Sequence, residues 1–369
     1  MRAVVYKLIA ILVLVGCLAA GWLWVSYQSF ANEPLSVGGK ELRLVVKPGM
    51  SLRGVADRLQ AKGVLKHPRY LAWMARWRGV ADRIKVGEYR ITPGTTPSQL
   101  LTMLVEGRVI QYSLTLVEGW TFRQVMDAVD SDPHLKHTLK GLKPDEIMVR
   151  LGHPGEHAEG RFFPDTYHFP RGTTDQSFLQ RAYRAMQGHL MHEWDQRAVD
   201  LPYKRPYDAL IMASIVEKET ALPSERADIA GVFVRRLKKG MRLQTDPTVI
   251  YGLGSSFDGN LRRRDLEHDT PYNTYMHRGL PPTPIAMPGL ASIHAALHPA
   301  PGKALYFVAR GDGSHQFSDT LKEHDRAVIK YQLKGHARRF SSYNGKSKNA
   351  GEKSDAGGAE DRQDSPSKP

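Results

Sequence analysis

One cysteine, Cys17, stands in a chain of 369 residues. An intrachain disulfide is therefore impossible, and the folded part must be held by its hydrophobic core. The length is ample for that and suits two domains. Acidic residues are comparatively scarce: 38 Asp and Glu against 52 Lys and Arg leave a formal charge of +14. Long apolar runs are scarcer still, and the one that stands out is Leu8–Val25, 18 residues without a charge. Arg2 and Lys7 precede it, and no Lys or Arg follows until Lys40. Such a run is long enough to cross a bilayer as a tilted helix with its basic end in the cytoplasm. The expected layout is a cytoplasmic end at 1–7, a single-pass inner-membrane anchor at 8–26 and a body on the periplasmic side. Two alternatives stand beside it. A cleaved signal peptide normally has a shorter apolar stretch, whereas this one continues through Trp22, Leu23 and Trp24. Leu14-Val15-Gly16-Cys17 resembles a lipobox ending on a lipidated cysteine, although four-residue patterns arise readily inside apolar runs.

Export makes nucleic acid an unsuitable partner for the basic body, and an anionic membrane face or an acidic wall polymer fits better. At the other end, residues 341–369 contain no Leu, Ile, Val or Phe, and their five Lys/Arg are balanced by five Asp/Glu. That composition cannot bury a core, so the tail is expected to be disordered.

The first half carries an internal repeat. Leu44-Val45-Val46-Lys47-Pro48-Gly49-Met50-Ser51-Leu52-Arg53-Gly54-Val55-Ala56-Asp57 aligns with the run from Leu114 through Gly119, Thr121, Arg123 and Val125 to Asp127. The shared pattern is an apolar strand, a glycine turn, Ser or Thr as helix cap, then a helix. Between the copies the sequence predicts a helix near Pro68–Trp77 and a strand at Tyr89–Ile91. A further helix opens on the capping box Thr96-Pro97-Ser98-Gln99 and stops before Gly107. Residues 41–108 thus read as a small βααβα module, and its opening resembles a LysM-type glycan-binding module.

In the second half, residues 207–220 predict a helix ending near Pro223, with Glu217 and Glu219 closing an apolar pattern. At about 100° per residue Glu219 shares the face of Met212, Ile215 and Val216, while Glu217 lies beside Leu210. A carboxyl on an apolar face can hold a proton near neutrality, which makes Glu219 the better general acid. The plain alternative is a frayed helix end with both acids solvated. A second helix is expected to begin at Ser224 as cap. It carries Ile229, Val232, Phe233 and Leu237 on one face, and Arg235, Arg236, Lys238 and Lys239 in its last turn suit the helix dipole. The polar strip Gln244-Thr245-Asp246-Pro247 follows as a loop.

Three loops concentrate aromatic and polar groups: 159–167 with Glu159, Asp165 and Tyr167; 271–275 with Asn273 and Tyr275; and the proline-rich 279–289. Aromatic faces flanked by hydrogen-bonding side chains suit a glycan cleft, although the prolines also simply stiffen loops. His294 and His298 have a spacing that can chelate zinc, but the glutamate of H-E-x-x-H is missing and no third ligand follows at a matching spacing. No metal ion or cofactor is expected.

Taken together, A-S-I-V-E-K-E-T, M-R-L-Q-T-D-P-T-V-I-Y-G, E-G-R-F-F-P-D-T-Y and Y-N-T-Y followed by G-L-P-P-T-P-I resemble the bacterial endolytic murein transglycosylase (MltG, YceG-like) family over roughly residues 1–335. Arg161 stands where the resemblance leads one to expect an aromatic. The expected fold is α+β, several helices packed with a small sheet, with a catalytic domain at 109–335, and the resemblance implies cleavage of the β-1,4 bond between N-acetylmuramic acid and N-acetylglucosamine in nascent peptidoglycan. It implies Glu219 as the acid and 1,6-anhydro-muramoyl ends as product. Peptidoglycan strands are the implied partner, with peptidoglycan synthases as further candidates. One carboxylate suffices if the sugar's own C6 hydroxyl is the nucleophile, whereas ordinary glycosidases use two. Gln244, Asp246 and Asn273 are candidates for contacting the sugar or orienting Glu219, with Thr245, Tyr275, Glu159, Asp165 and Tyr167 in support. A non-catalytic wall-binding scaffold and a two-carboxylate muramidase remain as alternatives.

Overall fold

The computed structural model describes residues 2–333; the polar tail at 341–369 lies outside the described residues. Helix α1 (Arg2–Asn32) is unbroken, and its Val5–Asn32 part is long and apolar enough to cross a membrane. At 1.5 Å per residue, 18 apolar residues measure about 27 Å, close to the thickness of bilayer hydrocarbon. The helix outlasts that run, because Phe30 and Ala31 are buried in the core of the module that follows.

That module consists of β1 (Leu42–Val46), α2 (Leu52–Ala61), α3 (Pro68–Trp77), β2 (Gly87–Ile91) and α4 (Pro97–Glu106). This is the βααβα order expected from sequence, with β2 starting two residues earlier. β1 and β2 pair antiparallel with Leu44 opposite Tyr89, and Val55, Leu59, Leu71, Met74 and Leu100 fill the space beneath. Both halves of the Thr96/Gln99 capping box are formed, and Gly107 closes α4 in the left-handed conformation at φ 77°.

The next segment contains β3 (Gln111–Thr115), α5 (Phe122–Ser131), α6 (Pro144–Leu151), β4 (Thr166–Pro170) and α7 (Asp175–Asp195). Its opening repeats the geometry of the first copy. Ser51 and Thr121 adopt φ, ψ of −77°, 161° and −81°, 162°, and each accepts a backbone N–H three residues on. Glu88 of β2 joins the two segments: Tyr112 Oη and Arg171 Nε donate to its Oε2 at 2.6 and 2.8 Å. Burial works against its charge, but the Tyr112 and Arg171 hydrogen bonds hold its carboxyl below the usual range.

The third segment is helical: α8 (Pro206–Glu219), α9 (Arg226–Lys238), α10 (Asp246–Leu253), α11 (Arg263–Leu266) and α12 (Leu290–Leu297). Every residue of α8 from Ala209 to Val216 is buried, and α7, α9, α10 and α12 pack around it. A helix apolar on all sides is a core helix. Two expectations are corrected. Ser224 does not cap α9, because Pro223–Glu225 form a 3-10 turn and Glu225 stands at the cap position. The strip at 244–247 is not all loop, since Asp246 and Pro247 open α10, a position that suits proline.

The chain from Tyr306 forms a separate compact unit. Its described part is a hairpin of β5 (Tyr306–Ala309) and β6 (His315–Ser318) and helix α13 (Leu321–Tyr331), packed through Val308, Ala327 and Val328. The fold is α+β, with three two-stranded antiparallel ribbons among the described residues rather than one small sheet.

Candidate active site

Glu219 is the last residue of α8, which stops where Thr220 turns extended at φ −140°, ψ 136°. Thr245 Oγ1 donates to Glu219 Oε2 at 2.7 Å. Thr245 is itself buried and fixed from several sides. Its N–H donates to Thr274 Oγ1 at 3.1 Å, its carbonyl accepts from Thr248 Oγ1 at 2.8 Å, and the hydroxyls of Thr248 and Thr274 lie 2.8 Å apart. Gln244 takes a left-handed φ of 53°, uncommon for a residue with a Cβ, and its N–H donates to Thr274 O at 3.2 Å.

The strained turn is clamped by Arg236. The buried guanidinium donates to Leu305 O (2.6 Å), Leu243 O (2.8 Å), Arg242 O (3.3 Å) and Gln244 Oε1 (3.4 Å), using the fixed fork that only arginine offers. Arg235 likewise donates to Ala304 O and Ala300 O. The helix dipole is thus not the main reason for these two cations, which shape the loops beside the site.

Asp246 opens α10, and Tyr275 Oη donates to its Oδ1 at 2.6 Å. Burial above all, then Asp246 and Glu219, push the Tyr275 hydroxyl upward against the opposing Arg236. It stays protonated as a donor beside two acids. Asn273 is fully buried. Its Nδ2 donates to Leu266 O and His268 O at 3.0 and 2.7 Å, and its Oδ1 accepts the Tyr275 N–H at 2.9 Å. It builds the loop that aims Tyr275 rather than facing a ligand.

Glu217 has different partners. Its Oε2 accepts the Gly289 N–H at 3.0 Å, and Arg226 Nη2 lies 3.7 Å from its Oε1. Its side chain is only 7% exposed, so the frayed, solvated helix end is corrected. Because α8 is buried all round, angular position does not separate the two glutamates; their partners do. Glu217 ties α8 to the starts of α9 and α12.

Glu159 and Tyr251 bring the three loops together behind α10. Glu159 is buried, accepting the Phe122 N–H at 2.9 Å and Tyr251 Oη at 3.0 Å, and burial pushes its carboxyl up to about 7. Tyr272 and Thr283 hydroxyls meet at 2.9 Å. Gly160, at φ 77°, lets loop 279–289 approach so closely that a Cβ there would lie 2.5 Å from Pro284. Arg161 packs over the Tyr207 ring at 4.3 Å and pairs with Glu156 at 3.3 Å.

Other expected residues fall elsewhere. Tyr167 packs against the core, with its hydroxyl donating to Phe163 O. Asp165 is exposed in an open groove of about 720 Å³ shared with Glu118, Arg226 and His294. His294 and His298 do meet a carboxylate: Glu193 Oε2 is 2.8 Å from His294 Nδ1 and 3.7 Å from His298 Nε2. These three groups are close enough to hold a metal ion. Residue spacing gave no hint of Glu193. It also missed Arg236, Thr248, Thr274 and Tyr251, none of which carries a local signal for its role.

A carboxyl at the end of a buried helix, with a hydroxyl donor on one oxygen and a tyrosine-bonded aspartate on the adjoining helix, is an arrangement that can serve acid–base chemistry. Residues 44–330 match the YceG-like family. The chain is 32% identical over 328 residues to the endolytic murein transglycosylase of Bacillus subtilis, covering 83% of this chain and 89% of that one. It is 26% identical over 360 residues to the endolytic murein transglycosylase of Streptococcus pneumoniae strain D39, covering 88% of this chain and 64% of the other. A crystal structure of a YceG-like protein from Listeria monocytogenes superposes with a TM-score of 0.50 at 30% identity, covering 78% of this chain and 98% of that one. The chain belongs to the YceG-like family.

Proposed function

We propose that the chain is an endolytic murein transglycosylase anchored in the cytoplasmic membrane by α1, and that Glu219 is its catalytic acid. The observation that carries the assignment is the Thr245–Glu219 hydrogen bond of 2.7 Å, with the Tyr275–Asp246 pair beside it. Glu219 protonates the glycosidic oxygen between N-acetylmuramic acid and N-acetylglucosamine as that bond breaks. The resulting carboxylate then takes the proton of the muramoyl C6 hydroxyl, whose oxygen closes onto C1 to give the 1,6-anhydro end. No water is consumed, and the proton returns to Glu219. Thr245 aims the carboxyl, Asp246 and Tyr275 border the developing charge, and Asn273 and Gln244 shape the loops that present them. Glu159 supports α10 from behind. Substrate is a peptidoglycan strand emerging outside the membrane, the LysM-like module at 41–108 is a second glycan contact, and peptidoglycan synthases are candidate partners.

Digestion of purified peptidoglycan by the full chain in detergent, compared with Glu219→Gln and read by mass spectrometry, tests the proposal. Internal fragments with anhydro ends from the parent alone are expected. Reducing ends would mean hydrolysis with a second carboxylate, for which Asp246 is the candidate. Equal activity in both proteins would remove Glu219 from the chemistry. No activity in either would favour a wall-binding scaffold.

A further inference from the structure

Helix α3 of the module carries aromatic rings that the fold leaves uncovered. Leu71, Met74 and Ala75 face inward, whereas Tyr70, Trp73 and Trp77 are 42%, 50% and 62% exposed. These rings are continuous with the outer end of α1. Trp77 meets Trp24 and Tyr27 edge-on at 6.3 and 5.2 Å, Trp73 meets Tyr27 at 6.0 Å, and Tyr70 meets Phe30 at 5.4 Å. An apolar hollow of about 300 Å³ lies among Leu23, Tyr27, Phe30, Tyr70 and Trp73.

Two further observations fix what covers this face. No loose linker separates α1 from the module, because Phe30, Ala31 and Leu35 belong to the module's core and Lys66 Nζ pairs with Glu33 at 2.8 Å. The rings of α3 are therefore held along α1 from Trp24, where the apolar run ends, to Phe30, with Trp77 beside Trp24, Trp73 beside Tyr27 and Tyr70 beside Phe30. Trp and Tyr favour that level of a bilayer, the boundary between acyl chains and headgroups. Residues 66–83 also carry five cations (Lys66, Arg69, Arg76, Arg78, Arg83) against one acid, Asp82, which matches an anionic headgroup layer.

We propose that the module docks on the lipid surface, with Tyr70, Trp73 and Trp77 of α3 immersed at the headgroup boundary beside the anchor. The occupant of this face is lipid, and the module is set at a fixed height rather than tethered by a flexible stalk. The inference rests on the proposed anchoring of α1.

The sole cysteine makes a direct test simple. In a full chain carrying Cys17→Ala, Trp77→Cys or Trp73→Cys is labelled with a nitroxide and reconstituted in nanodiscs of phosphatidylethanolamine and phosphatidylglycerol. Both positions are exposed, so neither change endangers the fold. Power saturation measures access to lipid-soluble oxygen and to a water-soluble nickel chelate. Leu18→Cys serves as the reference within the span and Val199→Cys, 91% exposed, as the aqueous one. The labels on α3 are expected to show an oxygen-to-nickel ratio several-fold above that at position 199. If position 18 reads as lipid while 73 and 77 read like 199, the anchor stands and the docking is refuted. If position 18 itself reads as aqueous, the anchoring fails first and the docking with it. Low access to both reagents at 73 and 77 would mean that another copy of the chain covers the face, which also refutes the proposal.

Discussion

Glu159→Gln isolates the cost of one buried acid. The carboxyl, at the start of loop 159–167, is buried with hydrogen bonds from the Phe122 N–H and the Tyr251 hydroxyl, and burial carries it from an ordinary 4.5 to about 7. In that window the folded state keeps a proton that the unfolded state has lost, so stability falls as pH rises. The slope is about 1.4 kcal/mol per pH unit, roughly 3 kcal/mol between pH 4.5 and 7, and the cost is absent below 4.5. Glutamine keeps an acceptor for Phe122 and offers its amide to the Tyr251 oxygen, without a charge at any pH. The variant is expected to match the parent near pH 5 and to exceed it by about 3 kcal/mol at pH 8. Urea unfolding of the full chain in detergent, run for both proteins from pH 5 to 8, reads this directly. Groups that titrate alike in the two proteins cancel in the difference. A parent–variant gap that stays constant across that range would refute the reasoning.

Thr245→Val keeps the shape of the side chain but removes the donor to Glu219. A hydrogen bond to a charged group is worth about 1.5–3 kcal/mol, so release of anhydro ends is expected to slow roughly 10- to 150-fold with the circular dichroism spectrum unchanged; an unaltered rate would end the positioning role. Glu217→Gln retains an acceptor for Gly289 but removes the more buried of the two carboxylates facing Arg226, leaving Glu118 at 3.9 Å. It is expected to lose about 1–2 kcal/mol in thermal or urea unfolding yet keep turnover within about tenfold (1.4 kcal/mol) of the parent. A loss of turnover as deep as that of Glu219→Gln would erase the distinction between the two glutamates.

What the sequence determined by itself is what a few neighbouring residues decide. The apolar run of α1, the Thr96 box with Pro97, the Ser51 and Thr121 caps and the glycine that closes α4 act through dihedrals and hydrogen bonds within one turn. That is why the βααβα module and the repeated strand–turn–helix unit are legible. The placing of Glu217 and Glu219 at the end of a strongly apolar helix was legible too. The partners of those acids were not, because Thr245, Tyr275, Arg226 and Gly289 reach them only through packing of separate helices and loops. The same holds for Arg236, whose basic last-turn position says nothing of the carbonyls it gathers, and for Glu193, which joins His294 and His298 from another helix. Only tertiary structure decided that Glu217 is tied down, that Asn273 and Glu159 are buried, and that the rings of α3 meet Trp24, Tyr27 and Phe30 of α1. Hydrogen-bond partners and burial depend on which distant segments share a core, and no pattern confined to one helix or loop records that.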